Sequence, residues 1–588
     1  MRMRGNDSKR AWKRTWGSAR PTNPTGSFHS EPAVTGSRTP KMPPAKPRLM
    51  RRGSRPFPPS PRARRTQDAL PGRCPRDRWL GPRLALAALG AALAAAACGG
   101  NRPVAAVLPN IVLVLADDMG FGDVGAYNSE SRIPTPNMDR LAAEGVRFTD
   151  MHSPDSVCTP SRYGLLTGRY CWRTRLQRTV LFNYEPPLIE RDRLTLASLL
   201  KRKGYRTGMF GKWHLGLDFA VKEGEHVDFD RPLPWYAGPD PDPEVGASID
   251  FSTPASGGPT ELGFDEAFYT AGCSTDQEPF CFIRDGVFLG MENASYRNPA
   301  GSWRSGMAAE NWVNETVDVR FTQEATDFIA RTHESGSETP FFVYLALSAP
   351  HSPHLVPEFA AGRSEAGVRG DMVWLVDWAV GQIMDTLERF GVAESTLLIV
   401  TSDNGPLRGS LEPGARESTA TVSNGHQSAG PLRGFKGRIY EGGHRVPFIA
   451  RWPQRIDAGT VTDEPRSLVD LIATFASVVG EKLPDDAGED SFDMLAVLEG
   501  SKGVTAPRPA IVHHSGGGAF GLRDGRWKVV FGRGEQVVQS MEGAGYLFDL
   551  EADLRETTDL WDKHPLVVER LTATMEDFRS RGRSVPRR

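Results

Sequence analysis

Beyond residue 109 the pattern of apolar and polar positions switches repeatedly between two periods. Short apolar, β-branched runs of strand length (NIVLVLA from Asn110, YRTGMFG from Tyr205, FFVYLAL from Phe341, STLLIVTS from Ser395) alternate with stretches of helical spacing. The helical stretches are NMDRLAAEG from Asn137, LASLLKRKG from Leu196 and DMVWLVDWAVGQIMDTLERFG from Asp371. Continuous apolar strands separated by helices predict an α/β sandwich: a mostly parallel central sheet covered by helices on both faces. From about Arg466 the pieces shorten. A helix in SLVDLIATFASVVG is followed by AFGLRDGRWKVVFG and YLFDLEADL, and the Asp-Gly between strand-like flanks predicts a hairpin. With a final helix near Leu566 to Ser580, residues 466–588 are expected to form a small antiparallel subdomain beside a main domain of residues 109–465. The Gly/Pro/Asp-rich stretches Lys222 to Pro259 and Arg408 to Gly434 read as surface loops, and loops of that length inside a domain are often functional.

Charge separates the beginning of the chain from the rest. Of 588 residues with a net charge of −1, residues 1–78 hold 20 Lys and Arg against 4 Asp and Glu, so the remainder carries −17. No aromatic interleaving or RNA-binding motif accompanies the basic leader, which excludes a nucleic-acid arm in favour of a disordered leader or a mis-assigned start. The segment RLALAALGAALAAAACGG, Arg83 to Gly100, joins a positive flank, a short apolar run and small residues. That is an export signal, placed at residues 79–98, and its apolar run is too short for a mature membrane span. Its end resembles a bacterial lipoprotein signal with Cys98 as the lipid anchor; Ala95, where such signals carry Leu, leaves lipidation undecided. An exported protein, periplasmic or membrane-anchored, follows. Six cysteines are too few for a disulfide scaffold in a chain of this size, although Cys273 and Cys281 could pair across a loop.

Four segments carry candidate chemistry. In PNIVLVLADDMGFGDVG an apolar strand ends on Asp117 and Asp118; both can meet one ion only if the chain leaves the strand there, which Gly120 and Gly122 would ease. STLLIVTSDNGP places Asp403 and Asn404 at a similar strand end. The carboxyl ends of parallel strands are where such sheets bind ligands. An all-oxygen donor set favours Ca²⁺ or Mg²⁺ over Zn²⁺, although each pair alone reads equally as a turn cap. In GYRTGMFGKWHLG, Lys212 and His214 would share a side of an extended segment. His351 and His354 in APHSPHLVP and Lys436 in GPLRGFKGRIYEGG read singly as loop residues. Cys158, in VCTPSRYGLLTGRY, stands in a polar turn before a helix, an odd place for a structural cysteine.

The order of these pieces is not generic. CTPSRYGLLTG and GYRTGMFGKWHLG resemble, along their whole lengths, the two hallmarks of the type I, formylglycine-dependent sulfatases. The DD, DNG, HSPH and FKGRIYEGG pieces follow in that family's order. The resemblance runs from Pro109 to the C-terminus and implies an alkaline-phosphatase-like fold with a small C-terminal subdomain. It implies that Cys158 is oxidised by a formylglycine-generating maturation enzyme that reads CTPSR on the unfolded chain. The hydrated aldehyde would attack sulfur with one hydroxyl and expel sulfate when the other loses its proton. It further implies that Asp117, Asp118, Asp403 and Asn404 hold Ca²⁺, that Arg162 supports the diol, and that Lys212 and Lys436 neutralise the sulfate. His214 would bond the nucleophile, His354, rather than His351, would reach the leaving group, and Ser274 of GCSTD would lie near the substrate. The expected activity is a sulfuric ester hydrolase acting on sulfated carbohydrate or aryl sulfate. The alternatives are a phosphodiesterase or phosphonate monoester hydrolase on the same fold, and an inactive binder of sulfated glycans. Trp303 and Trp312 could stack on a sugar or pack inside.

Overall fold

The computed structural model describes residues 108–229, 243–299, 301–334, 338–408, 423–500, 508–533 and 544–587. The leader, the export segment and Cys98 lie outside them. The described chain is built on an 11-stranded sheet. Its central strands are β1 (Asn110–Ala116), β2 (Val146–His152), β3 (Arg206–Lys212), β4 (Glu266–Thr270), β5 (Phe341–Ala346), β6 (Thr396–Ser402) and β7 (Arg445–Arg451). Their spatial order is β2-β7-β6-β1-β5-β3-β4, with short strands added at both edges. The pairs β6–β1, β1–β5, β5–β3 and β3–β4 are parallel, and β7 is antiparallel to both β6 and β2. Two reversals cancel, so β2 runs in the same direction as β1. Every residue of β5 and β6 is buried, as expected for strands covered on both faces.

Aromatic contacts identify those covers. Phe210 of β3 packs on Phe328 of α4 (Val317–Glu334), and Phe342 of β5 packs on Phe475 of α6 (Leu471–Val478). Phe210 is in register with Leu345, three residues from Phe342, so the two helices lie on opposite faces. On α4 packs α5 (Gly367–Arg389), and on α5 packs α1 (Pro136–Glu144); with α6 pack α2 (Cys158–Thr167) and α3 (Leu196–Arg202). The helices expected at 137, 196 and 371 are α1, α3 and α5. Strands β2, β4 and β7 and helix α4 are additional to those the periodicity reveals.

A four-stranded antiparallel sheet follows: β8 (Ile511–His514), β9 (Phe520–Asp524), β10 (Trp527–Val530) and β11 (Tyr546–Asp549), backed by α7 (Pro565–Ser580). The hairpin is β9–β10. Asp524 pairs with Trp527, so the turn is Gly525–Arg526, with Gly525 at φ 56°. Val512, Leu522, Val529 and Leu547 bury a separate apolar cluster against Leu571, Met575 and Phe578 of α7. Helix α6, though carboxyl-terminal to residue 466, contributes Leu471, Ile472 and Phe475 to the core of the main sheet instead.

Candidate active site

Parallel register brings the chemistry to one edge. Ala116 pairs with Ser402, Gly211 with Ala346 and Lys212 with Thr270, so the chain leaving β1, β3, β4, β5 and β6 emerges together at the carboxyl edge. Strand β2 ends there too, and residues 153–157 lead from it into α2, whose first residue is Cys158. Strand β7 begins there, so the segment carrying Lys436 arrives at the same edge.

The turn out of β1 is made by Asp118 itself, which adopts left-handed φ 68°. Gly120 and Gly122, expected to provide that freedom, serve close approach instead. A Cβ at Gly120 would stand 2.1 Å from the Ser428 carbonyl oxygen, and one at Gly122 2.4 Å from that of Gln427. The reversal lets both aspartates face inward. Asp117 N–H donates to Ala349 O (3.0 Å), and Asp118 N–H donates to Asp403 Oδ1 (3.3 Å).

Around Cys158 the side chains interlock. Its Sγ lies 3.4 Å from Asp117 Oδ1 and accepts from Lys436 Nζ at 3.2 Å. Lys436 Nζ also pairs with Asp118 Oδ1 at 2.6 Å, and Lys212 Nζ pairs with Asp117 Oδ2. Arg162, one turn along α2, donates through Nε (3.0 Å) and Nη2 (2.8 Å) to Asp403 Oδ2 and through Nη1 to Lys212 O (2.8 Å). Asn404 Nδ2 donates to Asp118 Oδ1 (2.7 Å). Three buried carboxylates and three bases thus meet. Burial opposes ionisation of Asp117, but the charges of Lys212, Arg162 and Lys436 outweigh it and hold that carboxyl well below its usual range. Burial, with the Asp117 charge beside them, pushes Asp118 up and Asp403 up to about 7. A divalent cation would reverse that crowding. Two oxygens remain for one: Asp118 Oδ2 and Asn404 Oδ1 are buried and accept no hydrogen bond. Burial, then Asp117, push the Cys158 thiol far up, so as cysteine it is no thiolate nucleophile.

The remaining expected residues divide. His214 does not continue an extended segment; its φ of 56° follows the end of β3. Its Nε2 faces Leu181 O at 2.8 Å, its buried Nδ1 is unpartnered, and its carbonyl accepts from Thr159, the residue after Cys158 (3.0 Å). Of the two loop histidines it is His351, not His354, that sits with Asp117, Asp118 and Cys158. His351 Nε2 lies 3.8 Å from Asp118 Oδ2, whereas burial and Arg369 depress His354 to about 3, and no contact joins it to the cluster. Of the two, the structure brings His351, and not the expected His354, to the cluster. Ser274 is buried with its Oγ on Thr270 Oγ1 (2.7 Å). Its neighbour Cys273 is the residue that reaches inward, 3.5 Å from Lys212 Nζ and 3.4 Å from His351 Nδ1. Cys273 and Cys281 are both free thiols, so the possible pairing is not formed. A cleft of about 510 Å³ lined by Tyr184, Glu185, Glu244 and Glu278, among others, includes none of these residues.

Residues 109–481 match the family model Sulfatase. The chain belongs to the sulfatase family. This sulfatase is 31% identical over 518 residues to an N-acetylgalactosamine-6-O-sulfatase of Bacteroides thetaiotaomicron, an alignment covering 80% of this chain and 93% of that one. It is 35% identical over 459 residues to human arylsulfatase A, covering 76% and 78% of the two chains. Among solved structures, a sulfatase from a Bacteroides thetaiotaomicron locus for glycosaminoglycan metabolism superposes with TM-score 0.68 at 29% identity. That match covers 81% of this chain and 100% of that one. The protein is a sulfuric ester hydrolase, and its mostly parallel sheet with a four-stranded antiparallel addition is the architecture that the two hallmark motifs imply.

Proposed function

We propose that this sulfatase cleaves sulfate esters of carbohydrates with Cys158 converted to formylglycine and a divalent cation, Ca²⁺ by donor type, on Asp117, Asp118, Asp403 and Asn404. One observation carries the reading. The 158 side chain, at the first residue of a buried helix, is gripped between Lys436 Nζ (3.2 Å) and Asp117 Oδ1 (3.4 Å), surroundings suited to a hydroxyl rather than an inert thiol. The cation fits the unpartnered oxygens of Asp118 and Asn404 and an all-oxygen donor set. When bound, it supplies positive charge for a sulfate group and acidifies a neighbouring hydroxyl. Hydrated formylglycine supplies the attacking hydroxyl and a second one whose deprotonation releases sulfate.

The chain's own residues do the rest. Arg162 holds Asp403 with its guanidinium fork and fixes the nucleophile helix against the carboxylates. Lys212 and Lys436 present ammonium groups to the sulfate oxygens, where charge shifts in the transition state. His351 is held neutral by burial and by Lys436, with Nδ1 donating to Ser352 O, so Nε2 carries a lone pair that would take the proton of the attacking hydroxyl and return it to the leaving alcohol. His214, neutral for the same physical reason, has Nδ1 free to accept the proton of the second hydroxyl.

The carbohydrate preference rests on Trp303 and on the hexosamine sulfatase named above. Trp303 is 44% exposed, and its neighbours tie it to the rim: Ser302 Oγ donates to Thr275 O (2.7 Å) and Arg304 pairs with Asp276. Trp312, by contrast, is packed on Phe282 with its Nε1 on Asn314. The export segment supports a location outside the cytoplasm of a bacterium, with Cys98 as the anchor if lipidated, and the proposed formylglycine calls for a maturation enzyme as partner. Mass spectrometry of the tryptic peptide Phe148 to Arg162, paired with turnover of matched aryl sulfate and aryl phosphate esters, tests the reading. An aldehyde at residue 158 with preferential sulfate release supports it. A plain thiol beside a converted control sulfatase, or faster phosphate release, sinks it.

A further inference from the structure

Outside the reaction centre two further groups of buried charge stand out. Behind the turn that presents Cys158, His152, His444 and His513 lie in a charge-balanced cluster that joins the two sheets. Arg523 Nη1 and Lys528 Nζ face the Nε2 atoms of His152 and His444 at 3.2 and 3.1 Å, and the His444 and His513 rings stack at 3.9 Å between centroids, so this cluster is closed to a ligand. The other group stands at the rim of the reaction centre. In the turn after β4, Asp276 N–H and Gln277 N–H both donate to Cys273 O (3.0 and 2.9 Å), which sets Asp276 one turn beyond the thiol that touches Lys212 and His351. Asp276 is 5% exposed, a rare setting for a carboxylate, and its Oδ1 is buried without a hydrogen-bond partner. Burial pushes that carboxyl up to about 6, against the charges of Arg304 and then of Lys212 and Lys436, which lower it. The two ammonium groups proposed to meet sulfate thus act on the same carboxylate that holds Arg304.

Arg304 reaches Asp276 from a separate segment. Its Nη1 pairs with Asp276 Oδ2 and lies 3.4 Å from the Asp276 carbonyl oxygen. Its side chain is 30% exposed, and among the described residues nothing takes Nε or Nη2. The segment is pinned on two sides. Ser302 Oγ donates to Thr275 O (2.7 Å), and a Cβ on Gly301, whose φ is 80°, would stand 2.6 Å from Leu355 Cδ1 in the loop that carries His351. An ion pair with an exposed partner and an unused buried oxygen is a weak device for stability. As a mount for a guanidinium it is effective, because a fork aimed before the substrate arrives loses little rotamer freedom on binding.

We propose that Arg304 is a specificity-determining residue that binds a second oxyanion of the saccharide, a carboxylate or a further sulfate, beyond the sulfate being cleaved, and that Asp276 is the positioning residue that aims it. This deepens the carbohydrate reading of the proposed function and rests on it. With Nη1 given to Asp276, Nε and Nη2 remain as two parallel donors on one edge of a planar fork, a match for two oxygens of a carboxylate or sulfate. A single hydroxyl would use only one of them. Trp303, the chain neighbour of Arg304, is the exposed ring face that the sugar between the two anions would cover. The cations at the reaction centre are already committed to carboxylates, Lys212 to Asp117, Lys436 to Asp118 and Arg162 to Asp403, so the second anion has Arg304 as its own partner.

The test uses full-length enzyme with formylglycine confirmed at residue 158 and three kinds of probe. One is 4-nitrophenyl sulfate, which has no second anion. The others are a sulfated uronate–hexosamine disaccharide beside its carboxyl-reduced counterpart, and a disulfated disaccharide beside its monosulfated counterpart. On the anionic member of one pair, Arg304→Gln should lower kcat/KM about 10–100-fold, as loss of a charge-assisted bidentate contact does, and on its counterpart and the aryl sulfate by no more than a few-fold. The pair that responds tells carboxylate from second sulfate. Asp276→Asn, which keeps the buried volume, should reproduce part of the loss in the same substrate order. If that variant does not fold, Arg304→Gln, at a partly exposed position, decides alone. A uniform loss on every probe makes the ion pair structural and overturns the proposal, as does a parent enzyme that cleaves the aryl sulfate yet favours neither anionic member. Failure of the converted parent on the aryl sulfate as well overturns the proposed function, and this subsite with it.

Discussion

The reaction centre and the His152/His444/His513 cluster hold the same inventory of fixed charge and differ in what is left over. Each sets three buried acids against three bases: Asp117, Asp118 and Asp403 with Arg162, Lys212 and the half-buried Lys436 in one, Asp150, Glu441 and Glu556 with Arg445, Arg523 and Lys528 in the other. At the reaction centre the unpartnered atoms include oxygens, and a lysine leans on the 158 side chain. In the second cluster the lysine is spent on carboxylates, and the unpartnered atoms of its histidines are nitrogens. Charge balance therefore says little about role; the element and direction of the unused atoms say more.

The largest effect expected is at Cys158, the proposed source of the nucleophile. Cys158→Ala should lower kcat on an aryl sulfate by about 10⁴-fold or more, as loss of an essential nucleophile does, while Tm stays near that of the parent. An active alanine variant would erase the distinction between the clusters. Next, His351→Asn should lower kcat by about 10²–10⁴, the usual weight of a general acid or base, against a change of only a few-fold for His354→Asn. Steady-state rates of the two variants, side by side, settle which histidine works. In the second cluster Lys528→Met leaves Glu441 and Glu556 buried without their cation, and the effect should fall on stability. Denaturant unfolding should show a loss of about 3–5 kcal/mol, with kcat per folded molecule within a few-fold of the parent. A selective loss of kcat instead would move Lys528 into the machinery.

Much of the candidate site was legible because parallel sheets place ligands at strand ends. Asp117, Lys212 and Asp403 stand where apolar runs stop, and the first hallmark motif supplied Cys158 and Arg162. The histidine assignment was not legible, since His351 and His354 lie in an irregular loop whose residues obey no period. Cys273 was hidden by the habit of pairing cysteines, although its neighbours in space are Lys212 and His351. The second cluster left no local trace at all. Antiparallel pairing sets His152 opposite Arg445, the neighbour of His444, and a separate sheet delivers His513, so three lone histidines meet only through tertiary structure.

Two smaller effects sharpen the picture at its edges. Trp303→Ala should raise KM for a sulfated oligosaccharide about tenfold, from lost ring stacking, and leave a small aryl sulfate unaffected. Equal changes for both substrates would remove Trp303 from recognition. Asp318 accepts from Ser348 N–H (2.6 Å) on the segment leading to His351, and burial pushes its carboxyl up to about 7. A raised carboxyl favours the protonated folded form, so this stabilisation is complete below about pH 4 and is lost as pH rises towards about 7. Calorimetry of Asp318→Asn should give a flatter Tm profile across that window, and an unchanged slope would assign the pH dependence elsewhere.

Cys158 is 2% exposed, in a helix whose ten residues are all buried. On the proposed maturation, an oxidising enzyme that must grasp the residues around Cys158 would have access only until the sheet closes over them. Each molecule would then be committed once, at synthesis, and no later encounter would revise the outcome. A purified batch would in consequence be a mixture of fully competent and permanently silent copies. Its specific activity would count the winners of a race between oxidation and folding, so slowing folding at lower growth temperature should raise that figure without changing KM.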